Sequence, residues 1–287
     1  MPSVKQLQLE ETSLDTIGNF FSAYQKLTIY QMQISRDNTI NSRTFFQGLL
    51  DTFVDLKQDL KRLIKINPND SQVISFSTLA KNGKTVSVFL SFETKFSTNT
   101  NRVALQFFKE GIADTQSDIV IVGATAKRLF KEIFPTDTKF DYFDLTEKNT
   151  DLKGNIDLMK HLLRYEQIHV YNPYYVSLME QKPQFETISG DISIAEAPKQ
   201  EKKHFLFEPE KKKILHFFEI QIMSNLFQHK IKEAHLANLG SRIATLQHTQ
   251  DNLETELEKI RHLKLKKMKY KANKKQRNRL SGMRFWS

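Results

Sequence analysis

Residues 236–260, LANLGSRIATLQHTQDNLETELEKI, decide the fold. Within them Leu236, Leu239, Ile243, Leu246, Leu253, Leu257 and Ile260 recur at alternating intervals of three and four, and Gln250 takes the one remaining slot. Such a repeat keeps one face of an α-helix apolar over many turns, which is the seam of a coiled coil. From Glu210 to Met283 there is no proline and only Gly240 and Gly282, so nothing in the stretch breaks a helix. At 1.5 Å per residue it would reach about 110 Å. A domain built from a chain of this length is less than half as wide, so the helix is expected to protrude or to pair.

A partner for it is expected at the opposite end of the chain. Residues 4–65 also lack proline. Ile17, Phe20, Tyr24, Leu27 and Ile34 keep the three-four rhythm, and Phe46, Leu49, Phe53, Leu56, Leu60 and Leu63 resume it. One long helix is predicted, ending near Asn67, which is pushed out of helical space by Pro68.

Between 68 and 209 the texture changes to short apolar runs separated by turn residues. Strands are predicted at 73–78 and 85–91, joined through Asn82-Gly83. Helical spacing follows over 101–111, then the near-continuous apolar strand Asp118–Val122, a helix over 124–133, a short strand near 140–145, a helix over 155–164 and a strand over 167–171. Residues 184–209 have room for one or two more strands. Alternating strands and helices predict a small Rossmann-like α/β sheet. The expected organisation is an N-terminal coiled-coil helix (1–67), a central α/β domain (68–209) and a C-terminal coiled-coil helix with a basic end (210–287). Its fold class is α/β, with a long antiparallel coiled coil, because helices that enter and leave one domain pair without crossing connections.

Charge narrows the partners. The net charge is +10, yet residues 260–287 alone hold eleven Lys and Arg and no Asp or Glu. A block of this kind meets nucleic acid, an anionic membrane surface or an acidic protein. With no cysteine there is no disulfide framework and no thiolate chemistry, which fits a reducing interior. The N-terminus lacks a secretory signal, and no run of eighteen apolar residues is present, so a cytoplasmic protein is expected, peripheral at a membrane through its complex.

Catalytic signatures are missing. Gly83-Lys84-Thr85 resembles the end of a phosphate-binding loop, but Thr78 stands where its first glycine belongs and a strand follows instead of a helix. Gly123 lies between a strand and a helix without the further glycines of a dinucleotide site. His229 and His235 are six apart, off the spacing of a helical metal pair. No catalytic residue, cofactor or metal ligand is assigned, and the chain is not expected to be an enzyme on its own.

Several stretches bear a resemblance to one family. Ile17–Leu27, Val86–Ser91 with Asn99–Arg102, Asp118–Lys127, Val170–Ser177 and Glu233-Ala-His-Leu-Ala resemble, in order, segments of the gamma subunit of F-type ATP synthases, the third its strand ending in V-G-x-K. The family's D-K-G-L-C-G loop is replaced by Glu93-Thr-Lys-Phe-Ser-Thr, and Asn273-Lys-Lys-Gln-Arg echoes its ending. The resemblance implies the rotor axle, or central stalk, of an F-type or F-type-like rotary ATPase, coupling ATP hydrolysis or synthesis in a surrounding alpha/beta hexamer to rotation. It implies P-loop ATPase subunits as partners, with an epsilon-like subunit and a membrane rotor or other driven machinery at the far end. The hexamer contacts would be Lys264, Lys267, Lys271, Lys274, Lys275, Arg277 and Arg279, with Leu280, Met283, Phe285 and Trp286 as an apolar tip. The alternatives are a gamma-like subunit of a motor that does not move protons, such as a motility machine, and a coiled-coil nucleic-acid-binding protein using the basic end.

Overall fold

The computed structural model describes residues 2–66, 82–92, 96–113, 115–145, 156–189 and 211–283. Two long helices bracket the chain, α1 (Val4–Ile66) and α5 (Lys211–Met283). The start of α1 is written locally. Ser3 Oγ accepts from the Gln6 backbone N–H at 3.2 Å, and Gln6 Oε1 accepts in return from the Ser3 N–H at 2.6 Å, a reciprocal cap that satisfies two donors of the first turn.

Between them run β1 (Thr85–Leu90), α2 (Thr98–Ile112), β2 (Asp118–Val122), α3 (Ala124–Ile133), β3 (Asp141–Phe143), α4 (Ile156–Leu162), β4 (Gln167–Tyr175) and β5 (Gln181–Ser189). The strands form one sheet in the order β3-β2-β1-β4-β5, parallel except for the antiparallel pair β4–β5. The strand expected at 73–78 lies outside the described residues. β4 runs four residues beyond its expected end, through Pro173. The strand tolerates proline there because its ladder with β1 ends at the pair Phe89–Tyr171, and the facing residue on the edge strand β5 is Pro183.

By compactness the chain divides into two units, Met1–Tyr30 with Arg242–Ser287, and Gln31–Ser241. The second unit contains the sheet, and alternation along each strand fills two cores. Phe89 and Ile121 point to one face, where they meet Leu105 and Phe108 of α2 and Leu129 and Phe130 of α3. Val86, Val88, Leu90, Val120, Val122 and Val170 point to the other, against Leu158 and Leu162 of α4 and against Met223, Phe227, Ile231 and Ala234 of α5. The four α5 residues follow helical spacing, so α5 serves as a core helix of the sheet over this stretch.

Gly123 closes the turn from β2 into α3. Its φ is +100°, and a Cβ there would lie 1.9 Å from the Ser91 carbonyl oxygen, so backbone conformation and space both demand glycine. Gly18 is the opposite case: it sits inside α1, and nothing approaches within 4 Å of its added Cβ. Gly123→Ala is therefore expected to destabilise by at least about 3 kcal/mol. Gly18→Ala should stabilise by about 0.5–1 kcal/mol through helix propensity. Urea unfolding of the two variants, followed by circular dichroism, checks both the signs and the contrast.

Candidate functional site: interaction surfaces of the long helices

In the first unit the residues expected on the α5 seam lie on its less exposed side. Ile243, Leu246, Leu257 and Ile260 are buried, and Gln250 and Leu253 are half-buried. Leu239, on the same stripe but in the second unit, is fully buried. The stripe of α1 is not where its apolar residues predict it. Leu7 and Thr28 are buried, and Val4, Glu11, Leu14, Gly18, Phe21 and Gln25 are half-buried, a regular three-four series displaced by one residue from the expected one. Of the expected knobs, Ile17, Phe20 and Leu27 are exposed, at 43%, 63% and 51%, and Tyr24 is half-buried. One residue is about 100° of helix rotation, so α1 carries two stripes and turns the more polar one inward. In the second unit Met32 is buried and Leu49 half-buried, while the side chains of Phe46, Phe53 and Leu56 lie outside the described residues.

Polar contacts explain the choice of stripe. Glu11 occupies a slot of the inward series, where it receives Lys264 and, at 3.1 Å, the Arg261 guanidinium. Arg261 also reaches Asp15 at 3.4 Å. Gln25 Nε2 donates to Gln247 Oε1 at 2.9 Å, and Arg242 lies 5.6 Å over the Tyr24 ring. Lys267 donates to the Pro2 carbonyl. Partner numbers fall along α5 as they rise along α1, so the two segments run antiparallel. The Lys264 ammonium, followed by Arg261, holds the Glu11 carboxyl below its ordinary value. A half-buried carboxylate with two cations fixes the register of a seam in a way that apolar knobs do not.

Two cations expected to meet an outside partner, Lys264 and Lys267, are thus engaged within the chain, because α1 extends alongside them. Lys271, Lys274, Lys275, Arg277, Arg279 and Leu280 are exposed. Lys271, Lys274, Lys275, Asn278 and Arg279 line one open groove and fall on one helical face, the continuation of the seam past Ile260. Met283 ends the helix, and Phe285 and Trp286 lie outside the described residues.

The second unit has a crevice of its own to account for. In doubly wound sheets, ligands bind at the carboxyl ends of the strands, where successive connections diverge to opposite faces. Here that point lies between β1 and β4, and α5 fills it. The His235 ring stacks edge-on to Phe92 with centroids 5.0 Å apart, Asn101 Nδ2 donates to Asn238 Oδ1 at 2.8 Å, and Thr100 Oγ1 donates to Ser241 Oγ at 2.7 Å. Tyr175 crowds Gly240, with ring atoms 3.0 Å from where a Cβ would lie. Every residue from Leu236 to Ser241 is buried. Among the described residues no group of His, Asp and Glu is arranged to hold a metal ion.

No protein-family model and no curated protein sequence matches the chain. Solved structures do. A chain of the Tetrahymena thermophila mitochondrial ATP synthase central stalk and c-ring structure superposes with a TM-score of 0.55 at 11% identity, covering 80% of this chain and 99% of its own length. A chain of the Euglena gracilis mitochondrial ATP synthase, from its OSCP/F1/c-ring structure, gives 0.51 at 11% identity, covering 88% and 93%. The shared fold is that of ATP synthase chains. At this identity the likeness rests on the order and packing of elements and on few residues.

Beside the closed crevice, Lys230 of α5 is held by Glu233 at 2.7 Å and by Glu186 of β5, and His229 Nε2 lies 3.1 Å from Glu233. Burial opposes charge on Glu233, but the His229 contact and the Lys230 ammonium outweigh it and hold the carboxyl below its ordinary value of 4.5. Its stabilising contribution is therefore complete above pH 4.5 and is lost as the pH falls through the lower folded-state value. Glu233→Gln is expected to cost about 2–3 kcal/mol at neutral pH. The gap from the unmodified protein should narrow as unfolding is measured at successively lower pH below 4.5. A gap that stays constant into acid would show that charge on Glu233 contributes nothing.

Proposed function

We propose that this chain is the central-stalk, gamma-like axle of an F-type or F-type-like rotary ATPase. It would be non-catalytic itself and would couple ATP turnover in a surrounding alpha/beta hexamer to rotation. The observation that carries the reading is the fold shared with nearly the whole length of a chain from an ATP synthase central-stalk structure. Fold alone does not imply function, so local chemistry has to support it. The sheet's ligand crevice is filled by the chain's own helix, which leaves a scaffold in place of a pocket. In the first unit segments of the two terminal helices meet antiparallel, which supports reading them as a coiled-coil rod. Past that pairing α5 offers an exposed cationic face suited to acidic protein surface.

In this reading the hexamer contacts are Lys271, Lys274, Lys275, Arg277, Arg279 and Leu280, with Met283, Phe285 and Trp286 beyond them. Lys264 and Lys267 instead tie α5 to α1. The sheet unit would be the foot, meeting an epsilon-like subunit and a membrane rotor or another driven machine, such as a motility apparatus. The complex would be cytoplasmic and peripheral on a membrane. The same cationic face favours one competing reading, a coiled-coil protein that binds nucleic acid.

Gentle purification of the native protein followed by mass spectrometry separates these readings. Stoichiometric P-loop ATPase subunits of two kinds are expected beside it; their absence, together with binding to DNA or RNA that falls steeply with salt, would replace the axle with the nucleic-acid reading. Changing Lys271, Lys274, Lys275 and Arg279 together to Gln should lower the ATPase rate or coupling of the complex without lowering the thermal unfolding temperature of the isolated chain, because all four side chains are exposed and their mutual repulsion is relieved.

A further inference from the structure

The stripe of α1 that faces α5 has a near-equivalent one position earlier in the sequence. The facing slots include Leu7, Glu11, Leu14, Gly18, Phe21 and Thr28. Turned by one residue, about 100°, α1 would set the preceding residue in each slot. Two doublets make part of that exchange neutral: Glu10 takes the place of Glu11 before Arg261 and Lys264, and Phe20 takes the place of Phe21. Elsewhere Ile17 replaces Gly18, Tyr24 replaces Gln25 and Leu27 replaces Thr28, all gains in apolar area. Against them, Leu7 gives way to Gln6 and Leu14 to Ser13, and two exposed contacts are lost, Asp15 with Arg261 and Gln25 with Gln247. Exposed polar contacts contribute little, so three apolar gains against two apolar losses leave the two packings close in stability. Tyr24 already lies under the Arg242 guanidinium, so the turn starts from a contact with α5.

We propose that α1, up to Tyr30, is a two-register element with a second packing on α5, turned by one residue from the observed one. The Glu10-Glu11 doublet keeps the helix at the same level along α5 in both, because an acid meets Arg261 and Lys264 either way. The helix thus rotates without sliding. Coiled-coil helices rewind by about 20° per heptad, and about five heptads of α1 follow Tyr30, enough to absorb the turn without a break. The rotation covers Ile17, Phe20 and Leu27, exposed in the observed register, and uncovers Gly18, Gln25 and Thr28. The face offered outward changes from apolar to small and polar, and a partner that prefers either face draws the helix into the matching register. The inference stands on the α1–α5 contacts and does not rest on the axle reading.

Thiol protection in the purified full chain tests it. The chain has no cysteine, so a single introduced thiol reports its own burial. Leu27→Cys and Thr28→Cys are made separately, each alone and each combined with Leu7→Gln and Glu11→Gln, and their rates of maleimide labelling are compared. Alone, the thiol at 27 should label at least about tenfold faster than the thiol at 28, as exposures of 51% and 0% require. Leu7→Gln and Glu11→Gln strip the observed register of a knob and its acid and leave Glu10, Ile17 and Tyr24 in place, so the order should reverse, with 28 the faster. Adding Glu10→Gln and Ile17→Gln should abolish the reversal, because those two side chains hold the second register. Circular dichroism should show full helix content in the reversed state, since both packings cover α1. An unchanged order means that one register alone exists, and two fast thiols with a loss of helix mean that α1 has come away from α5. Either result, or a reversal that survives the loss of Glu10 and Ile17, overturns the proposal. Failure of the axle reading would look different: no ATPase subunits would copurify, yet the labelling order would still reverse.

Discussion

The structure depends on the burial of two different faces of α5, each against its own partner. Met223, Phe227, Ile231 and Ala234 bury against the sheet, and Ile243, Leu246, Leu257 and Ile260 lie on a stripe covered in the other unit. Each such side chain contributes roughly 1.5–3 kcal/mol when taken out of water. A helix of this length gains little from propensity alone, so these contacts are what keep it continuous. The same helix is therefore a core element of the sheet over one stretch and packs beside α1 over another.

That dual role also explains the closed crevice. Parallel sheets expose backbone ends and small residues where their connections diverge, which is why ligands collect there. In this chain the space is taken by Asn238 and Ser241, both of which hydrogen-bond to residues of the first turn of α2, and by His235 against Phe92. Apolar packing would have filled the space equally well but would tolerate sliding by a turn. Buried amide and hydroxyl pairs tolerate none, because each misplacement leaves polar groups unpaired at a cost of about 1–3 kcal/mol. The polar residues thus fix where along α5 the sheet holds on, as Glu11 with Arg261 and Lys264 fixes where α1 does.

Much of this was legible in the sequence, and the failures have physical causes. The α5 stripe could be read because nearly every slot holds Leu or Ile, with Gln250 as a tolerated exception. The strand Asp118–Val122 declared itself by a near-continuous apolar run, and the others between Thr85 and Tyr171 by short apolar runs between turn residues. The inward face of α1 could not be read from hydrophobicity, since its slots include Glu11, Gly18, Gln25 and Thr28 while a richer apolar stripe of the same period lies one residue away. Only the pairing of acidic Glu11 with the cations at 261 and 264 resolves the ambiguity, and that signal appears only when the two helices are aligned antiparallel. The extension of β4 through Pro173 was hidden because proline reads as a strand end until the ladder with β1 is known to have stopped. Individual residues carried little of the family resemblance, as 11% identity implies.

The change in α5 beyond Ile260 sets how far the pairing can run. Seam slots held by leucine and isoleucine give way to Lys264, Lys267, Lys271 and Lys274. At the first two, the N-terminal segment answers with the Glu11 carboxylate and the Pro2 carbonyl. At the next two there is no apolar area to bury, so a helix laid alongside would gain only by bringing negative charge. Lys, Arg, Gln and Ala are good helix formers, which lets the segment stay helical without a neighbour. Like charges three and four apart on one face, however, cost about 0.2–0.5 kcal/mol per pair. The segment is thus a formed helix whose stability rises when acidic groups come to face it, and that coupling of order to an outside anion is a property of its own sequence.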